Sequence, residues 1–282
     1  YLAEAAALGD NVVMAAAATF GSDLVTEADD FYMDTMAVLG WDEPFEALKN
    51  VSQIGHINAM ADTDGIIRHA LLKVDAPEGE VYSFARVLYE KYAAYHGLQV
   101  SALPKTDGNG FFYLPYTAKP GSYYDGISFV DVLDGLVDPE YFAGKIVLIG
   151  PYTAGMQDEY RTSIDHAAPM YGIEIQANQI EAYRNGFLPV EVSDWIQLAL
   201  LFIWCAILAY VLKDCKVIYS IIIWLAVSCG WAGFCYLMYQ AGFVLHVLWF
   251  PLAATVLFVY SMAINYIRSN KGKCMFLNAP TV

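Results

Sequence analysis

The stretch that decides the architecture is WIQLALLFIWCAILAYVL, residues 195–212, the first of three long apolar segments. The second covers residues 217–239 and the third residues 243–267, and none of the three contains Asp, Glu, Lys or Arg. A helix that crosses the hydrocarbon core of a bilayer needs about 20 residues at a rise of about 1.5 Å each. The sequence therefore predicts three transmembrane helices that follow a large N-terminal domain, residues 1–190.

The charges are distributed very unequally between the two parts of the chain. Residues 1–194 carry 29 acidic and 10 basic side chains, a balance of −19. Residues 195–282 carry one acidic and five basic side chains, a balance of +4, which brings the whole chain to −15. An acidic surface favours cations or basic peptides over free anions. We therefore expect residues 1–190 to bind no nucleic acid. Their ligand, which we expect to be extracytoplasmic, is not identified by the charge.

The five basic side chains of the C-terminal part predict the orientation in the membrane. They lie between the first two segments and after the third, at Lys213, Lys216, Arg268, Lys271 and Lys273. The turn between the second and third segments, residues 240–242, has none. Since cytoplasmic loops collect Lys and Arg, we expect a multi-pass protein of the plasma (inner) membrane. Its residues 1–190 should be extracytoplasmic, and its C-terminal link, residues 268–282, cytoplasmic.

A globular protein with three buried helices is the alternative interpretation of the apolar segments. Uncharged helices joined by turns of a few residues would require an unusually large core, so we prefer the membrane interpretation. The five cysteines all lie in or beside the apolar segments, and residues 1–190 contain none. A domain of this length can be stable through its core without disulfides. The cysteines show no metal-ligand spacing, so no metal site is predicted.

The N-terminal domain alternates between predicted strands and predicted helices. Strands are expected at residues 12–18, 51–57, 66–74 and 144–150, and amphipathic helices at residues 84–95 and 172–183. Residues 22–46 are polar and are expected to be irregular. Strands that alternate with helices favour an α/β fold with a mainly parallel sheet.

Four motifs in this domain resemble, in order and spacing, those of the CHASE2 sensor family. They are DTDGIIR at residues 62–68, GKIVLIG at 144–150, DEYRT at 158–162 and MYGIEIQAN at 170–178. The resemblance covers most of residues 1–190, and the three apolar segments behind it also match the layout of the family. The chain departs from the family at three positions: Ser163 and Tyr171 replace prolines, and Gln176 replaces a histidine.

The resemblance implies the sensing and membrane region of a bacterial transmembrane receptor, with a further span before residue 1 and an output domain after the link. The output that we expect is a class III adenylyl cyclase making cyclic AMP, because residues 273–279 resemble the link to such domains. ATP and Mg²⁺ would bind only there, so no cofactor and no catalytic residue is expected in this chain. We also expect a homodimer, formed through the sensor domain and the membrane helices. A histidine kinase, a Ser/Thr kinase or a diguanylate cyclase remains an alternative output.

Two groups of polar residues are candidates for sensing a ligand. The first follows the predicted strand at 144–150, where α/β sheets commonly bind ligands, and the second surrounds a predicted turn. Asp158 could line a pocket, pair with Arg161 or cap a helix. The two aspartates of the turn lack the later ligands of a calcium loop, and the glycines around residues 144–150 lack a phosphate-binding motif. The candidates are Asp158, Glu159, Arg161 and Thr162, and Asp62, Asp64 and Arg68.

Two other classes of protein remain open. One is a transporter or channel accessory subunit, which the absence of charged side chains from the spans disfavours. The other is an external hydrolase anchored by its tail, but no nucleophile, base and acid can be assembled from the sequence.

Overall fold

The computed structural model describes residues 1–27, 30–153, 155–156, 158–213 and 215–277. The chain divides into two compact units. The N-terminal unit consists of residues 1–188 and the C-terminal unit of residues 189–282.

The N-terminal unit contains five α-helices and ten strands among its described residues. The helices are α1 (Leu2–Gly9), α2 (Glu46–Lys49), α3 (Phe84–Tyr95), α4 (Phe129–Leu133) and α5 (Gly172–Asn185). The strands are β1 (Val13–Glu27), β2 (Asp30–Asp42), β3 (Gln53–His56), β4 (Ile66–Ile67), β5 (His69–Leu71), β6 (Lys73–Ala76), β7 (Gly79–Tyr82), β8 (Phe111–Tyr113), β9 (Glu159–Thr162) and β10 (Met170–Tyr171). A short 3₁₀ helix covers Pro139–Phe142.

The strands form several small sheets, so the unit is broadly α/β, but the expectation of a mainly parallel sheet is not supported. The parallel pairs are β1 with β3 and β4 with β9. The pairs β1–β2, β5–β8, β6–β7 and β9–β10 are antiparallel. The prediction was too simple because hairpins, rather than helical crossovers, join β1 to β2 and β6 to β7. The β1–β2 hairpin also occupies much of the region that was predicted to be irregular.

The segment GKIVLIG, predicted as a strand, pairs with no other strand in the part of the chain that the structure describes. Ile146 and Leu148 nevertheless pack against the main core, while Val147 and Ile149 are exposed. This alternation is what an extended chain produces. The prediction of a strand at residues 144–150 was therefore wrong, because an apolar pattern cannot show whether a neighbouring strand is present to pair with.

The main core lies where α3 and α5 pack together. The ring centroids of Tyr89 in α3 and Tyr183 in α5 are 5.8 Å apart in a stacked arrangement. The Ser83 hydroxyl caps the start of α3 by accepting a hydrogen bond from the Arg86 amide at 3.3 Å. α5 ends at Asn185, and the φ of 65° at the following Gly186 suits glycine. The other large, fully buried apolar side chains of this core are Ile67, Leu114, Met170 and Ile175.

The C-terminal unit contains three long helices and a short strand pair. Its elements are β11 (Val190–Glu191), α6 (Asp194–Leu212), α7 (Val217–Gln240), β12 (Phe243–Val244) and α8 (Trp249–Leu277). Each helix contains a stretch long and apolar enough to cross a bilayer, of 19, 24 and 20 residues respectively. The third begins at Trp249 and not at the predicted Phe243, because residues 243–244 pair with β11. Residues 268–277 of the predicted link are helical and form the last part of α8. Residues 278–282 of the link lie outside the described part of the chain.

Most large apolar side chains on these helices are exposed. Phe202 is 81% and Val256 is 69% exposed, whereas Leu208, Leu212 and Ala254 form a small buried cluster. Helices with apolar side chains on all sides are typical of a lipid environment. This composition and exposure fit a membrane protein.

Candidate functional site

The two predicted groups of polar residues meet in one three-stranded sheet, in the order β10–β9–β4. Ile66 of β4 pairs with Arg161 of β9, and Ile67 pairs with Thr162. The turn that precedes β4 and the segment that begins at Asp158 therefore become neighbours, although they are far apart in the sequence. We call this sheet with its flanking residues 62–65, 68 and 158 the candidate surface.

Arg68 joins the two aspartates of the turn. Its guanidinium binds Asp64 through two contacts, Nη1–Oδ1 at 3.0 Å and Nη2–Oδ2 at 2.7 Å. It also reaches Oδ2 of Asp62 at 2.6 Å, and Oδ1 of Asp62 lies 3.1 Å from Nδ1 of His69. The turn itself is closed by the Gly65 amide, which donates to the Asp62 carbonyl at 2.8 Å. The DTDGIIR motif thus builds a turn tied together by its own arginine.

Arg68 determines the ionisation of the carboxylates in this turn. Hydrogen bonds from Arg68 lower the pKa of Asp64 to about 2, and both aspartates in turn raise the pKa of Arg68. The bidentate pair with Arg68 occupies both carboxylate oxygens of Asp64, and the same guanidinium occupies one oxygen of Asp62. Within the described residues, no group of three or more His, Cys, Asp and Glu side chains is placed to hold a metal ion.

Asp158 lies at the N-terminus of α5. A Cβ atom at Gly172, the first residue of that helix, would come within 2.4 Å of Oδ1 of Asp158, so glycine permits this close approach. Partial burial raises the pKa of Asp158, while hydrogen bonds from the Tyr160 hydroxyl and the Gly172 amide oppose the change. Asp158 therefore contacts the first residue of α5, and it forms no ion pair with Arg161 in the described structure.

The side chains of β9 alternate between solvent and core. Glu159 and Arg161 are exposed, and neither forms an ion pair among the residues described here. Thr162 is 0% exposed, and its hydroxyl has no hydrogen-bond partner in the described structure. Of the predicted residues, Glu159 and Arg161 are thus available to a ligand, whereas Thr162 belongs to the interior.

Sequence reasoning overlooked Glu174, a buried carboxylate in the first turn of α5. It is 2% exposed, and its Oε1 accepts a hydrogen bond from the Gly121 amide at 2.6 Å. Its Oε2 accepts from the Tyr171 amide at 3.3 Å, and the Tyr152 hydroxyl is also bonded to the carboxylate. A buried carboxylate is costly unless it is hydrogen-bonded, so Glu174 fixes the loop that contains Gly121 against the helix.

Asn178, one helical turn beyond Glu174, ties down the same loop and was also overlooked. It is fully buried, and its Oδ1 accepts from the amides of Thr117 at 3.1 Å and Ala118 at 3.0 Å. Its Nδ2 donates to the Glu174 carbonyl at 3.0 Å. Two polar side chains at a spacing of four residues, within an otherwise buried helix, were the signal that could have identified this pair.

His56 is a buried titratable group away from the candidate surface. It is 1% exposed, and neither ring nitrogen has a hydrogen-bond partner among the described residues. Burial lowers the pKa of His56 to about 4 from an ordinary value of 6.5, and the nearby backbone of Leu72 opposes this only in part. The imidazole is therefore neutral at physiological pH.

The charged and polar side chains of the candidate surface divide into those bonded within the fold and those exposed to solvent. Within this surface the Tyr160 hydroxyl is hydrogen-bonded to the Asp158 carboxylate, and the Arg68 guanidinium is engaged with Asp62 and Asp64. The exposed Glu159 and Arg161 offer an acceptor and a donor of hydrogen bonds two residues apart on one face of β9. This arrangement suits recognition of a polar ligand.

Comparisons with known proteins find one family. The family model of the CHASE2 domain matches residues 1–212. Searches of the curated proteins and of the solved structures find no significant match.

Proposed function

Since the chain belongs to the CHASE2 family, we propose that it is the sensing and membrane region of a bacterial transmembrane signalling receptor. The observation that carries this proposal is the arrangement within one chain: a CHASE2 sensor domain is followed by three helices of membrane-spanning length. A sensor joined directly to several spans is arranged to pass a signal across a bilayer.

The charge distribution supports a sensor outside the cell and a C-terminus inside it. Lys213 and Lys216 flank the turn between α6 and α7, and Arg268 lies near the inner end of α8, whereas residues 240–242 carry no charge. Basic residues near span ends mark the cytoplasmic side. The N-terminal unit, with its excess of acidic residues, then faces the exterior.

We place ligand recognition on the candidate surface, with Glu159 and Arg161 as its exposed polar groups. Their availability supports this placement, because the other charged side chains of the surface are satisfied within the fold. Asp62, Asp64 and Arg68 then hold the neighbouring turn in shape, and Asp158 connects the surface to the start of α5. A ligand bound here would act on α5, which packs into the main core.

We propose a class III adenylyl cyclase as the cytoplasmic output, acting as a homodimer that forms through the sensor and the spans. The support is the resemblance of residues 273–279 to the link of such receptors, together with symmetry. Class III active sites lie between two catalytic domains, so small helix shifts in a two-fold dimer can regulate them. ATP and Mg²⁺ would bind to the output domain, and this chain would supply regulation only.

Purification of the complete receptor tests both parts of the proposal. We expect a mass in detergent that corresponds to two chains and conversion of ATP to cyclic AMP. Arg161→Gln should change the regulated activity, and Lys105→Gln, at another exposed basic position, serves as the matched control. A monodisperse monomer, or a phosphohistidine in place of cyclic nucleotide, would contradict the proposed output. Equal effects of the two substitutions would contradict the sensing surface.

A further inference from the structure

His246, in the connection between α7 and α8, contacts all three long helices. Its amide donates to Oε1 of Gln197 in α6 at 2.8 Å, and its Nε2 lies 2.9 Å from Oδ1 of Asp194, also in α6. Its carbonyl accepts from Nε1 of Trp231 in α7 at 3.3 Å. Its ring stacks on Trp249, the first residue of α8, with centroids 4.1 Å apart and planes at 15°. One residue therefore links the first turns of α6 and α8 to the side of α7.

The segment that leads into α6 is joined to the same connection by a strand pair. Val190 and Glu191 pair in parallel with Phe243 and Val244. The Val190 amide donates to the carbonyl of residue 242 at 2.9 Å, and the Val192 amide donates to the Val244 carbonyl at 3.1 Å. A displacement of this entry segment therefore acts directly on the α7–α8 connection as well as on α6.

The side-chain amide of Gln197 connects the same two segments, because both its nitrogen and its oxygen form hydrogen bonds. Its Nε2 donates to the Val192 carbonyl at 2.7 Å, while its Oε1 accepts from His246. The residue is 3% exposed. Removing one partner of a buried hydrogen bond leaves the other unsatisfied, which is more costly than the bond itself is worth. The entry segment and the α7–α8 connection are thus joined by a buried side chain in addition to the strand pair.

We propose that Gln197 is a positioning residue, which makes the entry segment and the adjoining ends of α6, α7 and α8 move as one body. This inference rests on the proposed receptor function, in which the sensor acts on the spans through residues 189–193. According to this proposal, the signal is a concerted movement of the helix ends. If α6 instead slid past α8, the hydrogen bonds of Gln197 and those of the β11–β12 pair would both break.

Hydrogen exchange measured by mass spectrometry on this chain in lipid nanodiscs tests the proposal. Gln197→Met keeps the size of the side chain and removes both hydrogen bonds. We expect exchange to accelerate about tenfold in residues 190–192 and in residues 243–246 together. Asn265→Leu is the matched control. That amide donates to the Cys215 carbonyl at 3.3 Å, near the opposite ends of α6 and α8, so its loss should leave both segments unchanged.

A double-mutant cycle with Trp249→Ala tests whether Gln197 couples the α7–α8 connection to the entry segment. It distinguishes this coupling from a general destabilisation of both segments. Trp249 stacks on the His246 ring. When Gln197 is present, the loss of Trp249 should therefore accelerate exchange in residues 190–192, because Gln197 joins His246 to Val192. In the Gln197→Met background, the same substitution should add little there. Additive effects, or acceleration in only one segment of Gln197→Met, would overturn the proposal. The measurement needs no output domain, so its failure would leave the receptor function itself untouched.

Discussion

Acidification should destabilise the N-terminal unit through His56. The folded-state pKa of about 4 lies below the ordinary value of 6.5, so the unfolded chain binds a proton that the folded chain excludes. The contribution of neutral His56 to the free energy of unfolding is therefore fully present above about pH 6.5. It is lost as the pH decreases toward 4. Linkage between these two pKa values gives a loss of about 2 kcal/mol between pH 8 and pH 5.

Urea unfolding of the chain in detergent micelles, followed by circular dichroism at both pH values, measures this loss. His56→Met should abolish most of the difference between the two pH values. The replacement is apolar, and the ring nitrogens of His56 have no partners in the described structure that it would leave unsatisfied. His166→Gln, at an exposed position, should retain the full difference. If wild type and His56→Met lost stability in parallel, another group would be responsible and the reasoning from burial would be wrong.

Three further predictions concern the site and the topology. Asn178→Leu leaves two loop amides unsatisfied and should lower the free energy of unfolding by about 3 kcal/mol, while Asn185→Leu, at an exposed position of the same helix, should cost less than about 0.5 kcal/mol. Because burial raises the pKa of Asp158, its charge does not stabilise the fold. Asp158→Asn should therefore keep the melting temperature within about 2 °C but change the output of the full receptor; a large drop in melting temperature with no change in output would make the residue structural. Cys215, kept as the single cysteine, should resist an impermeant thiol reagent on intact cells, whereas Ala241→Cys in a cysteine-free chain should react; ready labelling of Cys215 would reverse the proposed orientation.

Elements with a strong local pattern could be predicted from the sequence. The helical spacing of apolar residues located α3, and the length of the uncharged segments located the three membrane-length helices. The β1–β2 hairpin escaped prediction because its polar and apolar residues do not alternate regularly, and pairing between neighbouring strands outweighed local preference there. The third span was predicted to begin too early, since Phe243 and Val244 are as apolar as the helix but pair with β11.

The candidate surface could be predicted as two separate groups but not as one surface. Each group was visible because charged residues cluster beside a turn or a strand. Their meeting depends on the parallel pairing of Ile66 and Ile67 with Arg161 and Thr162, a contact between distant parts of the chain that no local pattern encodes. Only the strand alternation then separates the exposed Arg161 from the buried Thr162.

The motif MYGIEIQAN has a structural explanation that sequence similarity alone does not provide. Its glutamate and asparagine, Glu174 and Asn178, are buried and hold the loop at residues 117–121 against α5. Polar side chains in such positions fix one arrangement of a loop, because any other arrangement would leave buried groups unsatisfied. Gln176, which replaces the histidine of the family, is buried in the same helix, and its Oε1 has no partner among the described residues. In the proposed receptor, Glu159 and Arg161 bind the ligand outside this motif, and we propose that the motif passes the resulting change in shape to the core.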